Sequence, residues 1–439
     1  MKTGLVLFRN DLRIHDNETL VRAIEFSDAL IPLYVLPKVE THTLIPYSRR
    51  SNFRIKFLLE SLADLDDSLK RMGSKLILRT GNIEHIVPEL CLEYSVDMVF
   101  FANLACTEEV EQEKNLIHIL SKIGISHRSY HTSTLVHPSD LPFPVEHLPE
   151  VFTEFRKMVE KKNPLAFSLP KKGRAPSLPS GLDSESLPLE LITLANSVKI
   201  HPSRAIDWKG GEQEGIKRLT EYLWLTDCIQ TYKETRNQLL GKNYSSKFSA
   251  YLSLGCLSAR LIYQQIKAYE EERIANESTY WLVFELLWRD YFFFIASKHG
   301  RNLFMKSGIQ KKNSKSSLIQ NSGYEKTNVD LVAFEKWRLG KTEDEFVNGN
   351  MKELLLTGYM SNRGRQNVAS FLVHNLRLDW RLGAEWFETM LIDYDPASNY
   401  GNWNYIAGIG NDPRSRVFNT EKQAKDYDPL GEYRKTWSE

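Results

Sequence analysis

The 439 residues contain only four cysteines, Cys91, Cys106, Cys228 and Cys256, with no C-x-x-C spacing among them. A disulfide framework and a zinc site are therefore unexpected, and reduced, mostly buried thiols are the expectation. Long hydrophobic runs are also missing. Stretches such as Trp281 to Phe284 and Phe292 to Ala296 are interrupted by Glu285, Arg289 and Asp290, far short of the roughly 20 residues a bilayer span needs. Charge of one sign is absent: 57 Lys+Arg face 56 Asp+Glu. That balance excludes nucleic-acid binding through bulk charge, but not through a local basic groove. The chain opens directly into a strand-like run with no signal or transit pattern, so a soluble, cytoplasmic, monomeric protein is expected. Finally, the first 207 residues hold no tryptophan, whereas nine follow. Two chemically unlike halves are implied.

In the first 130 residues, short apolar runs alternate with helical periodicity. Gly4 to Phe8, Leu30 to Leu36, Lys75 to Leu78, Asp97 to Phe101 and Ser126 to Tyr130 have strand length. Between them, Asn17 to Phe26, Arg49 to Met72, Ile83 to Tyr94 and Glu108 to Ile123 have helical spacing. Apolar strands separated by helices predict a parallel sheet covered on both faces, a doubly wound α/β domain over residues 1–130. Residues 131–205 carry ten prolines and predict a long wrapping linker with one short helix, Glu150 to Glu160. From residue 206 to 439 the pattern is helical almost throughout. The fold class is thus α/β followed by an all-α domain.

Five segments could carry chemistry. Tyr244 to Ser249 (Y-S-S-K-F-S) places hydroxyls and a lysine at a helix start, suited to a phosphate or to plain N-capping. On the helix from Trp281, Glu285, Trp288 and Arg289 share one face, fit either for a flat polar ligand or for a packed salt bridge. In Tyr359 to Gln366 (Y-M-S-N-R-G-R-Q), Asn362, Arg363, Arg365 and Gln366 suit phosphates or base edges, or a solvated face. Asp393 to Tyr405 (D-Y-D-P-A-S-N-Y-G-N-W-N-Y) is expected to be a polar loop, with Asp393 and Asp395 free to pair with Arg289 or Arg365 or to accept hydrogen bonds from a bound heterocycle. Lys298 to Tyr324 has Lys298, Arg301, Lys306, Lys311, Lys312 and Lys315 and no acid, so it suits either a phosphate backbone or a solvated, mobile loop.

These blocks, with Leu7 to Asn17 (L-F-R-N-D-L-R-I-H-D-N) and Tyr232 to Asn237 (Y-K-E-T-R-N), resemble in their order the photolyase/cryptochrome family, most closely its DASH type. The resemblance covers nearly the whole chain. It implies a helical domain that binds FAD, with Tyr232 and Ser245, Ser246, Lys247, Phe248 and Ser249 on the pyrophosphate side. Arg365, Asp393 and Asp395 would surround the isoalloxazine and sugar, and Asn399 would face flavin N5. Trp403, Trp380 and Trp337, in that order toward the surface, would form the electron-transfer triad. An antenna, 5,10-methenyltetrahydrofolate, would sit between the domains with Glu109 as ligand.

On the substrate side, the resemblance implies light-driven splitting of cyclobutane pyrimidine dimers by an electron from reduced FAD. Glu285, Trp288, Arg289, Asn362, Arg363, Gln366 and Tyr405 would contact damaged DNA. Gln366 stands where double-strand photolyases usually have Met, and Tyr405 where they have Trp. Both imply a preference for single-stranded DNA, where extruding a base costs little. No histidine occupies Asn362 to Gln366, where (6-4) photolyases carry one. Thr420 and Ala250 depart from the family's usual prolines. The alternative within the resemblance is a blue-light signalling receptor that binds FAD without repair.

Overall fold

The computed structural model describes residues 1–38, 40–163, 168–310, 328–411 and 417–438. Lys311, Lys312 and Lys315 of the expected basic run lie outside these residues.

Five strands, β1 (Thr3–Phe8), β2 (Ala29–Leu36), β3 (Ile77–Thr80), β4 (Met98–Ala102) and β5 (Ser126–Tyr130), form one parallel sheet in the order β3-β2-β1-β4-β5. The central β1 is buried along its whole length, as expected of a strand whose two faces both meet helices. The crossovers are α1 (Glu18–Phe26), α2 (Asn52–Arg71), α3 (Ile83–Glu93) and α4 (Thr107–Lys122). Side-chain caps start two of them. Asn17 accepts from the Leu20 amide and Ser51 from the Arg54 amide, each satisfying a free first-turn donor.

The linker carries two helices rather than one: α5 (Phe152–Lys162) and α6 (Leu189–Asn196). The second follows directly on Pro188, a position where proline is tolerated because helical N–H groups are unpaired there anyway. The remainder is helical: α7 (Glu212–Thr220), α8 (Tyr232–Thr235), α9 (Ser249–Ser253), α10 (Ala259–Glu272), α11 (Glu277–His299), α12 (Asn328–Arg338), α13 (Glu345–Thr357), α14 (Asn362–Ser370), α15 (Trp380–Met390), α16 (Pro396–Ile406), α17 (Thr420–Tyr427) and α18 (Glu432–Thr436). The expected polar loop after Asp393 is instead α16. Asp395 caps it by accepting from the Ser398 amide at 2.8 Å, and Pro396 opens its first turn. Its polar residues hid a buried face made of Ala397, Asn399, Tyr400, Trp403 and Ile406.

The segment after β1 locks the two halves together. Arg13 donates to the carbonyls of Asp16, Thr132 and Gly255, each at 2.9 Å. Asp16, fully buried, accepts from Arg260 Nε at 2.9 Å. Glu212, also buried, accepts from the Ile14 amide at 2.8 Å and the His15 amide at 3.1 Å. Removing one partner of such a buried pair costs on the order of 3–5 kcal/mol, because a charge is left without compensation. This part of the opening motif is therefore an interdomain clamp.

Candidate functional site: a cofactor pocket and an aromatic face

The loop before α9 is shaped by a residue that the motif reading omitted. Arg218 on α7 donates to the carbonyls of Lys242, Ser245 and Ser246 at 3.3, 3.2 and 3.0 Å, and to Asn243 Oδ1 at 2.9 Å. With these carbonyls turned toward Arg218, the loop amides face away from it. Lys247 takes a left-handed φ of 61° and Phe248 follows in the right-handed helical region. Such successive conformations make an anion-binding nest of backbone N–H groups. Ser245 and Ser246 are half-buried and Ser249 is exposed. The Lys247 side chain is not among the groups free to meet a phosphate. It is buried, its ammonium 3.2 Å from the Tyr244 ring centroid and 3.4 Å from Tyr359 Oη, and burial drives its pKa well down. Only its backbone remains available to an anion, which corrects the expected role of its side chain.

On α14, Arg365 donates to the Met360 carbonyl at 3.0 Å and to Asp393 Oδ2 at 2.9 Å. Asp393 Oδ1 is buried without a partner, and such an acceptor calls for a donor. An N–H-rich heterocycle such as the isoalloxazine or adenine of FAD supplies one, so the residues present fit the group. Asn399 on α16 is buried, and its Nδ2 donates to the Ala384 carbonyl at 3.0 Å, which fixes the orientation of its amide. Asp395 has Oδ1 engaged in capping α16, so only its second oxygen is open to a ligand. Tyr232 is buried beside Arg236 and Glu285.

Glu285, on α11, is ion-paired with Arg236. Arg236 also covers the Trp281 ring at 4.5 Å. Burial pushes the Glu285 carboxyl up, against the pull of Arg236. Trp281, expected to be packing, is half-exposed and one turn from Glu285. Arg236 was legible only as part of the Tyr232 to Asn237 block, four residues after Tyr232. Asn237 in the same block accepts from Arg363 Nη2 at 2.9 Å, and Arg363 lies over the Tyr427 ring at 4.6 Å. Asn362 is exposed, while Gln366 and Tyr405 are half-buried.

Three expectations on this face need correction. Arg289 does not join Glu285: it donates to the carbonyls of Ser133 and Leu252, which ties α11 to the linker and to α9. Trp288 has one face already covered, by Phe152 of α5 at 3.8 Å between centroids and 14° between planes. Lys298 donates to the Leu148 carbonyl at 2.8 Å and pairs with Glu150 at 2.6 Å, so it pins the linker instead of tracking a phosphate chain.

The tryptophans also differ from expectation. Trp337, expected at the solvent end, is 0% exposed, donates to the Val368 carbonyl at 3.0 Å, and lies 6.4 Å from Trp403 between ring centroids. Trp380 is buried, donates to the Lys306 carbonyl and meets Tyr400.

A cavity of about 640 Å³ opens between the halves, within the size range of small-molecule sites. The α/β side contributes Arg9, Tyr34, Cys106 and Glu109, and the helical side Glu385 and Tyr400. Burial raises the Glu109 carboxyl. At its rim Arg49 pairs with Glu388 and Glu108, both at 2.8 Å. Among the described residues no cluster of His, Cys, Asp or Glu could hold a metal ion, and no helix is long and apolar enough to cross a membrane.

The fold defines a protein of two halves, a parallel α/β half followed by a helical one. Residues 4–174 match the DNA photolyase model and residues 281–439 the FAD binding domain of DNA photolyase. The chain is 47% identical to Cryptochrome DASH of Gloeobacter violaceus, covering 99% of this chain and 85% of that one. It is 45% identical to Cryptochrome DASH of Xenopus laevis, over 99% and 82%. Among solved structures it is similar to the Synechocystis cryptochrome, with a TM-score of 0.93, 44% identity and coverage of 100% and 88%. It is also similar to a bacterial class III photolyase from Agrobacterium tumefaciens, with a TM-score of 0.83, 28% identity and coverage of 100% and 86%. The chain belongs to the photolyase/cryptochrome family, where it is most like the DASH cryptochromes, and it carries that family's FAD-binding domain.

Proposed function

We propose that this protein repairs cyclobutane pyrimidine dimers under blue light, with a preference for single-stranded DNA. The observation that carries the reading is Glu285: a carboxyl raised by burial, on one helix face with the half-exposed Trp281 and Trp288. Such a face suits an extruded pyrimidine dimer, which needs hydrogen bonds at its edges and aromatic packing on its planes. FAD, when bound, supplies light absorption and the electron that opens the cyclobutane ring. Glu285 holds the dimer by hydrogen bonding, and Arg236 keeps that carboxyl oriented. The half-exposed Trp288, together with Tyr405 and Gln366, packs against the dimer. Asn362 and Arg363 contact the DNA backbone. Arg365, Asp393, Asp395 and Asn399 hold the cofactor, and Ser245 to Ser249 receive its pyrophosphate through the loop amides.

The Glu109 cavity takes the antenna, which we assign as methenyltetrahydrofolate. Its volume suits a pterin, and the Glu109 carboxyl in its lining supports a contact with the ring's polar edge. Loss of the antenna's absorption in Glu109→Gln, with FAD retained, would support that assignment.

The test is repair of dimer-containing single- and double-stranded oligonucleotides in light and in darkness. Light-dependent loss of dimers, faster on single strands, is expected. Equal rates would remove the single-strand preference. The relatives' name, cryptochrome, favours a second reading, a light receptor without repair. Failure on both substrates would leave that one standing.

A further inference from the structure

We propose that the electron path from Trp403 through Trp380 ends at Tyr400, on the wall of the interdomain cavity. The proposal rests on the reading of Trp403 and Trp380 as an electron-transfer path.

Trp337 is a poor terminus. It is fully buried, its indole N–H is bonded to a carbonyl, and its other ring neighbours are Phe334 and Phe387. An indole radical cation there would be a charge buried without a partner or solvent. Tyr400 is also buried and packs on Phe304 at 4.5 Å, but it lines the interdomain cavity, as Trp337 does not. It stands three residues before Trp403 on α16, so the two share a helix face. Its ring lies 6.0 Å from that of Trp380, at 81° between planes. Trp403 in turn lies against α15 at Gly383, where a Cβ would fall 2.2 Å from the indole, and Gly383 is one turn beyond Trp380. The three rings are thus gathered where α15 packs on α16.

Beyond Tyr400 lies the cavity, lined by Tyr400, Phe304, Arg301 and Arg381 among others. Its 640 Å³ far exceeds the volume of about 30 Å³ that one water occupies in the liquid. The phenol carries a dissociable proton. Burial, with Glu388 and Glu385 adding to it, holds its pKa well above the ordinary value, so the ring enters the step neutral. One electron passes from Tyr400 to the oxidised Trp380 indole and restores it. The phenolic proton leaves to cavity solvent, and a neutral tyrosyl radical remains with no charge to bury. A thiol entering the cavity then returns an electron and a proton to Tyr400, and two resulting thiyl radicals join as a disulfide.

The experiment illuminates the flavin-loaded protein with blue light in the presence of dithiothreitol, and follows radicals by transient absorption and paramagnetic resonance. A tyrosyl signal is expected, altered when ring-deuterated tyrosine is incorporated into the otherwise unchanged chain. In Tyr400→Phe that signal is lost, the Trp380 radical recombines, and the yield of photoreduced flavin falls several-fold at unchanged flavin content. Undiminished photoreduction in Tyr400→Phe overturns the proposal. If that variant does not fold, the deuterated protein decides, because a signal unaltered by deuteration excludes a tyrosyl terminus. Full photoreduction in Trp403→Phe would instead remove the path on which the proposal is built.

Discussion

Arg236 and Glu285, 49 positions apart in sequence, form an ion pair beneath the Trp281 ring. The pairing sets the charge of the one carboxyl proposed to hold the lesion. Burial raises its pKa, and Arg236 opposes that rise and favours the ionised form. If the ionised carboxylate accepts the dimer's hydrogen bonds, repair is lost as pH falls through the Glu285 pKa. Arg236→Ala should move that acid limb to higher pH, as measured by dimer loss per light dose across a pH series. Glu285→Gln should abolish the limb and weaken repair while flavin content stays unchanged.

The unpartnered Oδ1 of Asp393 makes a second prediction. Asp393→Ala removes both that acceptor and the partner of the half-buried Arg365. Leaving charged groups unsatisfied costs on the order of 1–3 kcal/mol or more, so cofactor affinity should fall roughly tenfold or beyond at about 1.4 kcal/mol per decade. The flavin-to-protein absorbance ratio after gel filtration measures it.

Asp290 is fully buried and accepts from the Leu135 and Val136 amides at 3.0 and 2.8 Å, and burial pushes its pKa up to about 7. A carboxyl raised in the folded state contributes most where it is protonated, below its unfolded value. That contribution is lost as pH rises from about 4 toward about 7. Asp290→Asn stays neutral at every pH, so the variant's melting temperature should decline less over this window than that of the unaltered protein. Paired thermal denaturation curves at several pH values provide the check.

Gly383→Ala should disturb Trp403 directly, because the new Cβ would meet its indole at 2.2 Å. Overpacking of this kind typically costs about 1–3 kcal/mol. A lower melting temperature and slower flavin photoreduction are expected together. Unchanged values for both would mean that α15 and α16 separate without cost.

The five strands were legible to within about two residues; β1, β2 and β4 are compact apolar runs whose signal is local, whereas β5 (S-H-R-S-Y) is polar and mostly exposed. The longer helices of the second half were legible by period, but α8, α16, α17 and α18 were not. In α16, Asn and Tyr residues outweigh its few apolar positions, and only the cap and proline geometry shows why it forms. For the site, Arg365 with Asp393 was among the pairings left open, and the fold makes it. Lys247, Arg289 and Lys298 were read as ligand contacts because composition shows that a cation is present, not which carbonyl or ring it meets. Arg218 and Arg236 went unnoticed for the converse reason, since their partners lie far along the chain.

Local patterning alone therefore settled the class of fold, the placement of the strands and the uneven division of tryptophan between the halves, because neighbouring residues carry those signals. Which indole reaches solvent, which cation is spent on backbone carbonyls and which acid is left without a partner were decided by long-range packing. Burial alters the cost of a charge or an unpaired oxygen by several kcal/mol, and burial belongs to the assembled structure rather than to any short stretch of chain.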